Sequence, residues 1–400
     1  MTRLWDKGKS LDDLILRFTV GGDHELDERL VSYDVRASCA HARMLMEKGY
    51  LSEEVCGRIV GALEEIGRRH AAGEWRISLA EEDVHTALEN RLVAAIGEDG
   101  GRLHLGRSRN DQVLAALRLY LLDVVHDLRR LGGKVIASLE DISAGQGDVP
   151  LPGYTHLQRA MPSSVRLWAE GFSAEIRDDL EGLTAVRRRI SRNPLGSAAG
   201  YGVPVLDLDR EATARSLGFE AVHEPVTAVQ LSRGKAEAAL LFEIVLLLQD
   251  LGRLAADVVL FATAEFGFLV LDEGLTTGSS IMPQKRNPDV FELVRGRAAR
   301  SVSLLDAVLL VTTRLPSGYH RDLQLLKGPL FQGIDEAEDV LEVMAHALRG
   351  LRFDPLRCAA AMDEGLLATE KAMKLVLQEG IPFRSAYRRV AGVPARPKGE

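Results

Sequence analysis

Only three cysteines occur in the 400 residues, at positions 39, 56 and 358. Their wide spacing gives neither a CxxC metal pair nor a disulfide framework, and the odd number fits a reducing cytoplasm. An excess of positive charge is also missing: 50 Lys and Arg stand against 58 Asp and Glu, a net charge of −8. That balance argues against nucleic acid or an anionic membrane surface as the main partner. A small anionic substrate needs only a local group of Arg and Lys. The opening MTRLWDKGKSLDDL has no apolar signal core, and no targeting or lipidation motif is present. The longest apolar run, 236–266, is interrupted by Glu243, Asp250, Arg253 and Asp257. The seven-residue spacing of its three acids puts them on one face, so it reads as a bundle helix with a polar stripe, not a membrane span.

Strand signals are few, and helical periodicity dominates. Short helices are expected over 52–73, with Ser52 as N-cap and Gly73 as stop, and over 81–97. Five long ones follow. They cover 108–145, with Gly132-Gly133 as a weak point, then 163–192, 231–266, 289–313 and 329–350. Their connections are rich in Pro, Gly, Asn and Ser. The pattern predicts an N-terminal helical domain (1–106), a central long-helix domain (107–350) and a small C-terminal segment (351–400) with a frayed AGVPARPKGE end.

Four polar stretches between helices hold the candidate chemistry, since loops on a rigid scaffold commonly carry it. In GRSRNDQ (106–112), Ser108 or Asn110 caps the next helix. Arg107 and Arg109 beside that N-terminus also suit an anion, which backbone N–H groups and a bidentate guanidinium favour. In PGYTHLQRAMP (152–162), His156 lies in a loop between prolines. It is either a proton-transfer group or a histidine satisfied by a carbonyl; Thr155 beside it adds a hydroxyl.

TTGSSIMPQKRNPD (276–289) combines backbone freedom at Gly278, restriction at Pro283 and Pro288, and the cations Lys285 and Arg286. It is neither a GxSxG elbow nor a GxxxxGK[ST] phosphate loop. It reads as a mobile anion-binding loop with a working serine, Ser279, and Glu292 follows near the next helix start, placed to orient a histidine. In PSGYHRDLQLLKGP (316–329), Tyr319, Gln324 and Lys327 supply a phenol, an amide and an ammonium, or form an exposed polar turn.

Together GSSIMPQKRNP (278–288), GRSRNDQ, PGYTHLQRA and YHRDLQLLK closely resemble the argininosuccinate lyase family of the fumarase/aspartase superfamily. EDVHTALENRL (82–92) and NPLGSAAGYGVPVLDLDRE (193–211) extend the likeness. The resemblance implies an all-α, fumarase/aspartase-like fold, a central five-helix bundle flanked by two smaller helical domains. It implies reversible β-elimination of argininosuccinate to arginine and fumarate, with no metal and no organic cofactor. Ser279 would be the base, and His156, oriented by Glu292, would transfer a proton or protonate the leaving guanidino nitrogen. Ser108, Arg109, Asn110, Thr155, Lys285 and Asn287 would hold the succinyl carboxylates, with Lys285 also serving the chemistry and Ser280 and Met282 at the substrate. Tyr319, Gln324 and Lys327 would meet the arginine end, and His85 would line the cleft.

The resemblance also implies a homotetramer whose active sites each combine loops from three subunits. Rival expectations are a lyase of the same superfamily acting on adenylosuccinate, aspartate or malate, and a silent relative that binds without turnover. The chain departs from the family pattern at Leu105, at Ala198 and in a shortened C-terminal segment. It also has no clear serine for the arginine end near FTVGGDHELD (18–27).

Overall fold

Ser52 accepts a hydrogen bond from the Val55 N–H at 3.2 Å and opens the helix Glu53–Ala71. Asp83 does the same for Val84–Ile96 through the Thr86 N–H at 2.9 Å, and Gly97 ends that helix. Both caps satisfy N–H groups that a helix start leaves without partners. The structure is a computed structural model that describes residues 12–392. The expectations about the opening segment and about the frayed end therefore lie largely outside the described residues.

Five long helices form: Arg109–Gln146, Val165–Ile190, Lys235–Phe261, Asp289–Thr312 and Lys327–Ala347. The all-α expectation holds, and among the described residues no helix is long and apolar enough to cross a membrane.

Three details differ from the sequence reading. The Gly132-Gly133 pair does not weaken its helix, which runs through unbroken. Gly132 is there for packing: a Cβ on it would lie 2.6 Å from Leu180 Cδ2. The 231–266 run is not one helix. Val226–Leu231 ends first, and Lys235–Phe261 begins after Gly234, whose φ of +83° and close approach to Thr312 exclude a side chain. The loop expected around His156 is a β-hairpin, Pro150–Thr155 paired antiparallel with Gln158–Ser164.

The chain forms two compact units. The first comprises residues up to Arg129, with Glu181–Leu246 and Arg300–Glu338. Its core includes Ala37, Ala40, Ala115, Leu119, Leu195, Leu217 and Phe219. The second comprises Arg130–Leu180, Leu247–Ala299 and the residues from Asp339 onward. An aromatic cluster packs there: Trp168 meets Phe353 edge-on at 5.4 Å, and Phe261 and Phe268 lie 5.9 Å apart.

Candidate active site

The first unit holds a cavity of about 160 Å³ lined by His85, Arg109, Asn110, Tyr319, Gln324 and Lys327. Asp23, Asp27, Asp83, Arg233 and Arg321 line it as well, and the sequence reading had singled out none of these five. The i, i+4 spacing of Asp23 and Asp27 was the available signal, because it puts two acids on one helical face. Their partner, Lys327, lies some 300 residues away and no local pattern points to it.

At GRSRNDQ the structure shows the helix cap that the sequence predicts. Ser108 Oγ accepts from the Asn110 N–H at 3.3 Å, and Asp111 accepts from the Ser108 N–H at 3.0 Å. This is a reciprocal capping arrangement. The other oxygen of Asp111 accepts from the N–H groups of Gly196 and Ala198, at 3.0 and 2.8 Å. Ala198 holds the left-handed conformation, φ +49°, that glycine would adopt more easily. Burial pushes the Asp111 pKa up to about 6 against these hydrogen bonds.

Arg109 turns onto Asp83, with Nε 2.8 Å from Oδ2. Burial opposes the Asp83 charge, but His85 and Arg109 hold its pKa below the ordinary value. Lys327 is buried between Asp27 at 2.5 Å and Asp23 at 2.9 Å. Burial works against its ammonium, and the two carboxylates outweigh it and raise the pKa. Gln324 donates to the carbonyls of Thr19 and Val20, at 3.2 and 2.9 Å. The ring of Tyr319 faces the Arg233 guanidinium at 6.0 Å.

His85 is the most constrained group of the cavity. Its Nδ1 donates to Asp34 at 2.6 Å, Asp34 accepts from Ser38, and Ser38 accepts from the buried Arg107 at 2.7 Å. Nε2 of His85 is buried without a hydrogen-bond partner. Burial disfavours its charged form, but Asp34 outweighs burial and raises the pKa.

Ser279, His156, Glu292, Thr155, Lys285, Asn287, Ser280 and Met282 belong to the second unit. His156 and Leu157 form the tip of the hairpin, both with positive φ, +54° and +56°. A two-residue hairpin turn of the primed type demands this, and non-glycine residues adopt it at a cost of about 1–3 kcal/mol each. The segment 278–286 is closed at its neck, where Thr277 and Asn287 exchange backbone hydrogen bonds at 3.1 and 2.9 Å. Within it, Ser279 Oγ accepts from the N–H groups of Met282 and Ile281, at 3.2 and 3.4 Å. Lys285 is exposed, as are His156 and Glu292, which no hydrogen bond joins.

The chain matches the protein family described as Lyase over residues 12–302. It is 46% identical to the argininosuccinate lyase of Sorangium cellulosum (strain So ce56), across 100% of this chain and 92% of that one. With the argininosuccinate lyase of Thermotoga neapolitana it shares 41% identity across 99% of both. The chain belongs to the argininosuccinate lyase family. Among solved structures, EDDS lyase in complex with formate matches this lyase with a TM-score of 0.79 and 25% identity, over 96% of this chain and 76% of that one. A class II fumarase from Schistosoma mansoni has the same fold at 18% identity, with a TM-score of 0.81 over 94% of this chain and 87% of that one.

Proposed function

We propose that this lyase splits argininosuccinate reversibly into L-arginine and fumarate by β-elimination, in arginine biosynthesis and the urea-cycle reaction sequence, in the cytoplasm. Ser279 takes the proton from the carbon beside a succinyl carboxylate. The electron pair left on that carbon forms a doubly negative, aci-carboxylate-like intermediate. The carbon–nitrogen bond then breaks, and the guanidino nitrogen leaves as arginine with a proton delivered by way of His156, which Glu292 orients. Cations and amide donors at the developing charge lower this barrier; Arg109, Lys285 and the helix N-terminus at Ser108 supply them, with Asn110, Thr155, Ser280, Met282 and Asn287 completing the hold on the succinyl end. Tyr319, Gln324 and Lys327 shape the arginine end beside His85.

The observation that carries this reading is the environment of Ser279. A serine is a poor base in water and works only where local dipoles stabilise its oxyanion and water is excluded. Two backbone N–H groups already point at Ser279 Oγ, and the 278–286 loop closed at its neck suits a lid that carries its own base.

The active form in this reading is a homotetramer, each site drawing loops from three subunits. Phe242, Leu246, Leu309 and Leu310 are exposed on long helices of the single chain, and apolar surface of that kind marks an interface.

The test is direct: mix the purified protein with argininosuccinate, adenylosuccinate, aspartate or malate and follow the ultraviolet absorbance of fumarate. Fumarate from argininosuccinate alone is the expected result. Fumarate from one of the others would keep the elimination chemistry and discard the assignment of the arginine end.

A further inference from the structure

Glu82 holds a backbone conformation that glutamate avoids. Its φ is +67° and its ψ −48°, and the Asp83 N–H closes a three-residue turn onto the Glu81 carbonyl at 2.8 Å. These values match the strained form of the γ-turn, which is rare. Both flanks pin the turn: Glu81 closes a capping box with Ser78, and Asp83 caps the helix Val84–Ile96. Neither role needs a side chain at position 82, and glycine would take the same angles with far less strain. A side chain kept in spite of strain points to a task for that side chain.

The Glu82 side chain is 3% exposed and reaches two guanidinium groups from distant segments. Its Oε2 stands 3.5 Å from Nη2 of Arg109 and 3.9 Å from Nη2 of Arg321. Arg109 opens the helix Arg109–Gln146, and Arg321 opens the short helical turn Arg321–Leu326 that carries Gln324. Arg321 also donates to the Thr19 carbonyl at 2.9 Å, the same carbonyl that Gln324 uses. Two guanidiniums this close to one carboxylate oxygen would repel each other without it. Burial works against the Arg109 charge, and Asp83 together with Glu82 outweighs burial. Arg109 meets these two acids through Nε and Nη2, which leaves Nη1 for a ligand.

We infer that Glu82 is a positioning residue for the reaction: it bridges the Arg109 and Arg321 segments and fixes their spacing, so that Arg109 offers one edge of its guanidinium to a substrate carboxylate. The strained turn is what brings a glutamate carboxylate into the gap between the two cations. That the ligand carries a carboxylate rests on the function proposed above; the bridge rests on the geometry alone.

Three variants of the full-length protein separate placement from folding. Glu82→Gln keeps the shape without the charge, Glu82→Ala keeps the strain without the carboxylate, and Glu82→Gly removes both. In fumarate-release assays with argininosuccinate, all three should raise KM roughly 10-fold, the effect of one charged hydrogen bond to substrate. Calorimetric titration with succinate, which needs no turnover, should show a similar, roughly 10-fold loss of affinity. A role in folding alone would lower the active fraction, and with it kcat, but would leave KM and succinate affinity unchanged. In thermal melts Glu82→Gly should lie about 2 °C above Glu82→Ala, because only glycine releases the turn.

Wild-type KM and succinate affinity in Glu82→Gln and Glu82→Gly overturn the assignment. A Glu82→Gly melt at or below that of Glu82→Ala overturns the strain behind it. Weakened succinate binding in the variants, with no fumarate released by the wild type, would keep Glu82 and discard the proposed reaction. Fumarate release by the wild type with unchanged variants would do the reverse.

Discussion

Nδ1 of His85 lies 2.6 Å from Oδ2 of Asp34, with both side chains buried. The carboxylate fixes which ring nitrogen carries its proton toward the protein, and it leaves Nε2 as the atom available at the cavity. Asp34→Asn removes the charge that holds this geometry. Fumarate release is expected to fall roughly 30-fold in kcat/KM, the effect of about 2 kcal/mol. Breaking a buried ion pair should also lower stability by about 3 kcal/mol, read by urea denaturation. Full activity in this variant would show that His85 needs no orienting partner.

Adjacent glycines in one helix should respond oppositely. Gly133 is exposed, with nothing within 4 Å of a Cβ placed on it. Gly133→Ala is expected to stabilise the protein by about 0.8–1 kcal/mol through helix propensity. Gly132→Ala pushes on Leu180, and overpacking of about 1–3 kcal/mol should cancel or exceed that gain. Thermal melts of the two variants decide the matter, and equal shifts would refute the packing argument.

Leu157 is exposed yet left-handed at the hairpin tip. Leu157→Gly removes a strain of about 1–2 kcal/mol and adds chain entropy to the unfolded state, for a net stabilisation of about 0.5–1 kcal/mol. The turn also aims His156, so the same variant should lose activity as the tip loosens. A lower melting temperature would mean that Leu157 makes stabilising contacts after all.

His41 is buried, and its Nε2 lies 2.8 Å from the Leu105 carbonyl, which can only accept. Burial and the charge of Arg107 lower its pKa from 6.5 to about 3. Between those values the unfolded chain binds a proton that the folded chain refuses, so the contribution of His41 is lost as pH falls below 6.5. His223, lowered to about 4, acts in the same sense, and Asp23 and Asp111, raised to about 6, act against it. A difference measurement isolates His41. His41→Gln keeps an N–H donor without the titration, so its destabilisation relative to wild type should shrink by about 1.4 kcal/mol per pH unit below the ordinary histidine value. Urea titrations at pH 7, 6 and 5 check this; a pH-independent difference would remove His41 as the cause.

Ser279→Ala should reduce fumarate formation roughly 10²–10⁴-fold, the usual contribution of a positioned base. Size-exclusion chromatography should show an unchanged assembly, because the serine side chain bonds only within its own loop. Retained turnover would move the base elsewhere.

The sequence by itself determined the helical character of the chain, since the 3.6-residue period and caps such as Ser52 and Asp83 act over a few residues. It also determined where the candidate chemistry lies, because Gly, Pro and charge punctuate the stretches between long helices. Tertiary structure decided what those residues meet. The hairpin at 150–164 was hidden because its turn is His156-Leu157, which lacks the Asn-Gly, Asp-Gly or Gly-Gly pair that marks such turns, and its strands are recognisable only through each other. The need for glycine at position 132 comes from Leu180, a residue of another helix whose side chain leaves no room for a Cβ there. Asp23 and Asp27 became parts of a cavity only when Lys327, about three hundred residues along the chain, was buried between them. Such charges are tolerable only in pairs once water is removed, and pairing across that distance is a property of the packed chain alone.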